Sequence, residues 1–127
     1  MHLRVLWVSL VAAAYFVSPS LAATVDLKVT VWPKGKESGQ SVTWSLRCSP
    51  AGGTLPRPGQ ACRILQGLRD PFAPVAPGEL CTQIYGGPQA ALVHGTFLGR
   101  RIWANFKRTD GCQGARWDRV AFLFPAR

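Results

Sequence analysis

Few residues in this chain have chemistry to offer. Beyond residue 22 it holds one histidine, His94; four cysteines, Cys48, Cys62, Cys81 and Cys112; and six acids, Asp26, Glu37, Asp70, Glu79, Asp110 and Asp118. A serine–histidine–acid set would have to use His94, which falls inside a run that reads as a strand. Paired carboxylates for glycosidic chemistry would have to come from acids scattered over a strand face and loops. Gly52-Gly53 and Gly86-Gly87 lack the spacing of a phosphate-cradling loop. No two cysteines stand at Cys-x-x-Cys spacing, so a zinc site would need nearly every available ligand at unsuitable intervals. The sequence therefore predicts no catalysis, no bound metal and no cofactor.

An even number of cysteines in a short exported chain reads as two disulfides, and four cysteines allow three pairings. One stretch beside a cysteine stands out. Leu80 to Pro88 opens on Cys81, continues through Thr82, Gln83, Ile84 and Tyr85, and closes on Gly86-Gly87-Pro88. It reads as an extended, displayed peptide, the form that docks through main-chain hydrogen bonds and places alternate side chains in pockets. A disulfide at its base would fix its shape before binding and remove much of the ordering cost. The plainer reading of the same residues is an exposed loop next to a structural disulfide.

The elements that must carry this loop follow from residue 23 onward. Residues 1–22 read as an export signal: a weakly basic start with His2 and Arg4, an apolar run from Val5 to Val17, and Ser20-Leu21-Ala22 before the cut. The run is too short to cross a bilayer core, which needs about 20 residues. The expected product is a secreted, extracellular domain over residues 23–127, with no membrane association after cleavage. Its net charge, +9 for the whole chain, is about +8 without Arg4. The adjacent basic pairs after the signal are Arg100-Arg101 and Lys107-Arg108, and no longer basic run exists, so no basic tail or nucleic-acid partner is expected, and the charge reads as a solubility feature.

Thr24 to Trp32 alternates, with Val25, Leu27, Val29 and Val31 on one face, which predicts a half-buried strand. Ser41 to Arg47 alternates again through Val42, Trp44 and Leu46, completing a hairpin across the Pro33–Gly39 turn. Pro58 to Arg69 changes to helical spacing through Ala61, Ile64, Leu65 and Leu68, with Pro58 suited to a first turn. Asp70 to Glu79, rich in proline, reads as an irregular excursion. Gln89 to Phe97 and Arg101 to Arg108 predict a second hairpin, with Ile102, Ala104 and Phe106 facing inward. A short turn or helix over Gly114–Asp118 and a last strand, Val120–Phe124, close the chain. The fold class is α+β, with a five-stranded antiparallel sheet.

Four blocks in order then resemble the Streptomyces subtilisin inhibitor (subtilisin inhibitor-like) family. They are Cys48-Ser49-Pro50-Ala51-Gly52-Gly53-Thr54 with Pro58 and Ala61-Cys62; Glu79-Leu80-Cys81-Thr82-Gln83-Ile84-Tyr85; Gly95-Thr96-Phe97-Leu98-Gly99-Arg100-Arg101, with Phe97 in place of a tryptophan; and Phe122-Leu123-Phe124. The resemblance implies disulfides Cys48–Cys62 and Cys81–Cys112, a five-stranded sheet with two helices, and a homodimer formed through the sheet. It implies a secreted inhibitor of a subtilisin-like serine endopeptidase, with Gln83–Ile84 as the reactive bond and Cys81, Thr82, Tyr85 and Gly86 in the protease cleft.

This sequence departs from the family pattern at three places. Gln83 replaces the more frequent Met, Lys or Arg. Gly86-Gly87 replaces a single Asp before the proline, adding a residue on the side that follows the bond. Asp110 stands where the family has an Asn that supports the loop, and a carboxylate accepts hydrogen bonds but does not donate them. The competing readings are a same-fold secreted binding module whose inhibitory loop is weakened or lost, and a basic protein that binds polyanions or membranes.

Overall fold

A computed structural model of the chain describes residues 11–16 and 23–125. The expected signal cut after Ala22 lies outside the described residues. Residues 11–16 carry no regular structure and expose Val11, Tyr15 and Phe16. No helix among the described residues is long and apolar enough to cross a membrane.

The alternation that predicts strands produces them. Strand β1 (Val25–Trp32) pairs with β2 (Val42–Cys48) on one side and with β3 (Gly87–Phe97) on the other, and β3 pairs with β4 (Arg100–Arg108). All pairings are antiparallel, in the order β2-β1-β3-β4. The register sets Val29 opposite Trp44 and Val93, and Val93 opposite Ala104, so one face becomes continuously apolar. Val25, Leu27, Val29, Val31, Leu46, Ala91, Val93 and Phe106 are all buried on it. Each fully buried Val, Leu or Phe contributes about 1.5–3 kcal/mol against exposure.

The β3–β4 turn is two residues long, Leu98 and Gly99, with φ of +48° and +82°. Positive φ at both positions gives a turn whose twist matches the strands. Leu98 accepts that strained region and leaves its side chain in solvent.

Helix α1 (Pro58–Gly67) ends two residues earlier than the expected Arg69, because Leu68 turns extended. Ala61, Cys62 and Leu65 are buried, while Ile64, expected on the same face, lies at its rim. Helix α2 (Gly111–Arg119) is longer than the expected Gly114–Asp118 segment, because Asp110 caps it.

The sheet has four strands, not the expected five. Val120–Phe124 closes on itself instead. Leu123 N–H donates to Val120 O at 2.9 Å and Phe124 N–H to Ala121 O at 2.9 Å, so these groups are spent within a 3₁₀ turn over Ala121–Leu123. Val120, Leu123 and Phe124 are the buried members, a spacing of three rather than two. Phe124 packs on Phe106 and Trp117 with centroids 5.4 and 4.6 Å away. The apolar run that imitates a strand is the plug under α2.

Candidate functional site

Residues 79–86 cross the surface without helix or strand, between a turn at Pro77-Gly78 and the first residue of β3. The segment exposes side chains that a core would otherwise claim: Leu80 is 97 % exposed, Ile84 71 % and Tyr85 63 %. Thr82 and Gln83 are exposed as well. Gln83 turns its amide back on its own segment, where Nε2 donates to Cys81 O at 3.4 Å.

Both flanks of the Gln83–Ile84 peptide are tied down. On the preceding side Cys81 is bonded to Cys112 in the first turn of α2, and the neighbouring Gly111 N–H donates to Thr82 O at 2.9 Å. On the following side Gly86 N–H donates to Arg108 O at 2.7 Å, at the end of β4. Three residues, Gln83, Ile84 and Tyr85, are left between the carbonyl at Thr82 and the amide at Gly86, a short span held at each end. The cysteines pair in the way the resemblance implies: Cys81 with Cys112, and Cys48 with Cys62, which fastens β2 to α1.

The residue added by Gly86-Gly87 does not hang loose. Gly87 pairs with Arg108 and Ala90 with Lys107, so Pro88 and Gln89 bulge out of the ladder. Gly87 supplies the φ of +133° that this requires, and Pro88 sits where no ladder donor is needed.

Asp110 stands at the junction beneath the loop. Its Oδ1 accepts from Gln113 N–H at 2.9 Å and caps α2, so the carboxylate is used to start the helix that carries Cys112. It also lies within 4.8 Å of both sulfurs of the Cys81–Cys112 bond. With those sulfurs joined to each other there is no thiolate to bind a metal.

Arg116 locks this corner together. Its Nε donates to Ala73 O at 2.8 Å, its Nη1 to Asn105 O and Gln113 Oε1 at 2.9 Å each, and its guanidinium lies 4.5 Å over the Phe106 ring. One side chain thus links the proline-rich excursion, β4 and α2. Burial, and then the nearby Arg119, lower its affinity for the proton.

Among the described residues no hydrolytic set is assembled around His94. It lies on the outer sheet face against Trp103, ring centroids 5.0 Å apart. Lys28 of β1 stands between it and Ser45 in the register, and Ser45 Oγ accepts from Thr54 N–H at 3.0 Å.

The sequence reading brought Cys81, Thr82, Gln83, Ile84, Tyr85, Gly86, Asp110 and Cys112 into one site, and the fold gathers them at one end of the sheet. It missed Gly111, Arg108 and Arg116. Gly111 carried the only legible signal: it follows a capping residue and precedes a cysteine. A side-chain carbon there would collide with Thr82 Oγ1, so a residue larger than glycine would make the Thr82 side chain turn or give way.

A family model described as subtilisin inhibitor-like matches residues 22–109, a span that holds three of the four cysteines and all of the loop. No curated protein matches the chain.

Proposed function

The chain belongs to the subtilisin inhibitor-like family, and we propose on that premise that it inhibits a subtilisin-like serine endopeptidase by presenting Gln83–Ile84 as a substrate it fails to release. The observation that carries this reading is the pair of tethers around that bond, Cys81–Cys112 with Thr82–Gly111 before it and Gly86–Arg108 after it.

The loop enters the cleft extended, with the Gln83 carbonyl directed to the oxyanion donors of the protease. The protease serine adds to that carbonyl, and the C–N bond to Ile84 opens. The new amine stays beside the acyl group, because β3 and Arg108 hold its side of the loop while the disulfide holds the other. Resealing then competes with hydrolysis. Gln83 is uncharged, which suits a broad pocket rather than one built around a buried acid. Export through the 1–22 segment and dimerisation through the outer sheet face, where Trp103 is 69 % exposed, belong to the same proposal.

Titrating a subtilisin with the mature protein tests it. Activity should fall stoichiometrically, and Gln83→Lys should move the preference toward trypsin. A profile unchanged by that substitution rejects the assigned bond. Rapid conversion to two fragments held by Cys81–Cys112 identifies a substrate, not an inhibitor.

A further inference from the structure

The two sides of the loop differ in charge. On the side before the Gln83–Ile84 bond Glu79 shares a surface depression with Arg116 and Arg119, so an acid stands among the cations there. After it the sheet end is cationic. Arg108 sits beside Gly86: a side-chain carbon at Gly86 would lie 3.3 Å from Arg108 Cβ and 3.4 Å from its Nε. The β1–β2 turn packs on the next residues, since a side-chain carbon at Gly35 would lie 3.0 Å from Pro88 O. That turn is Lys34-Gly35-Lys36, with both lysines exposed and Lys36 poised 5.1 Å over the Trp32 ring.

Among the described residues none of these cations is paired with a carboxylate. Arg108 Nε is enclosed without a hydrogen-bond partner. Two acids are near this end: Glu37, beside Lys36 in the turn, and Asp110, which is engaged in capping α2.

We infer that Arg108, Lys34 and Lys36 form a cationic docking rim on the side of the loop that follows Gln83–Ile84, and that the protease it fits carries carboxylates on the matching rim of its cleft. The inference rests on the proposed inhibition and adds the chemistry of the partner. Fixed charges at the edge of an interface act mainly on the encounter, raising the association rate in a way that salt screens. The rim therefore selects among proteases that would accept Gln83 equally.

The test uses the mature protein and one subtilisin-type protease with acids on that rim, together with the same protease after Asp→Asn and Glu→Gln changes there. Association rates are read from progress curves between about 20 and 200 mM salt. Lys34→Gln/Lys36→Gln should slow association with the acidic protease about threefold at low salt, and adding Arg108→Gln about tenfold, with little effect on the neutralised protease. Arg108→Lys in place of Arg108→Gln should restore most of the rate.

Equal rates for the wild type and the triple variant overturn the rim. So does an equal loss on both proteases, which would mean that Arg108 acts by packing on Gly86. A triple variant that keeps its rates but loses retention on a sulfated polymer would also overturn it, assigning the cations to a polyanion. A wild-type chain that inhibits neither protease overturns the inhibition itself, a result distinct from all three.

Discussion

Gly111→Ala should weaken the clamp on the loop while leaving global stability little changed, because two opposed terms of similar size meet at this residue. Gly111 is the first residue of α2 and its φ is not in the left-handed region, so alanine satisfies the backbone there. Replacing glycine by alanine at such a site stabilises by about 0.4–1 kcal/mol, through a less entropic unfolded chain. Taken alone that gain is about 2–8 °C in thermal midpoint for a domain of this size, and loss of the loop hydrogen bond offsets it. The added carbon, however, would overlap Thr82 Oγ1. Rotating the hydroxyl away still leaves Thr82 Cβ at 3.3 Å and Thr82 O at 3.5 Å. Exposed Thr82 therefore has to give by a few tenths of an ångström, which lengthens and weakens the Gly111 N–H to Thr82 O bond.

A net backbone hydrogen bond is worth about 0.5–1.5 kcal/mol, which converts to about 2- to 12-fold faster hydrolysis of Gln83–Ile84 in the complex. The assay pairs thermal denaturation with fragment analysis after incubation with a protease. Thr82→Ala removes the overlapping hydroxyl, so the double variant should recover part of the lost resistance, with a coupling energy above about 0.5 kcal/mol. An alanine variant cleaved as slowly as the wild type would refute the argument that Gly111 positions the loop through Thr82.

Removing Cys81–Cys112 by paired serine substitutions frees a span of 31 positions, a loss of about 3.7 kcal/mol from loop-closure entropy, read by urea titration. The loop should then be cut and released. Removing Cys48–Cys62, which spans 14 positions, should cost about 3 kcal/mol while leaving the loop's resistance largely intact. Arg116→Ala removes charge-assisted bonds to Ala73, Asn105 and Gln113 and should cost about 2–4 kcal/mol in urea denaturation. Arg119→Gln relieves a like-charge pair one helical turn away and should stabilise by a few tenths, about 0.2–0.5 kcal/mol. Because the Arg116 shift is downward, its cost is fully present below the lowered value and is relieved only as pH rises through it. Between pH 5 and 8, about the range in which most proteins are handled, the Arg116 contribution to a denaturation midpoint should be flat.

Local pattern was enough for most of the scaffold. The period of two in Val25–Val31 fixes which face of β1 is buried, whatever it pairs with, and the change to a period near four at Pro58 marks α1. Cysteine count and the Cys81–Tyr85 block point to a stapled, displayed loop, and the family resemblance supplies the cysteine partners. Other features follow from what surrounds a residue. Val120–Phe124 has the apolar content of a strand, but an edge position has to be open for a strand to add, and α2 delivers this segment beneath Phe106 instead. Asp110-Gly111-Cys112 reads as the end of the second hairpin. Asp110 caps α2 through a bond only three residues along, a local signal, whereas the crowding of Gly111 by Thr82 is decided by tertiary packing. Arg116 is one basic residue among many in the sequence, and two of its acceptors, Ala73 O and Asn105 O, lie outside its own helix, the first of them 43 positions away. Spacing along a chain governs what a segment does by itself; which distant groups meet is decided when the core closes.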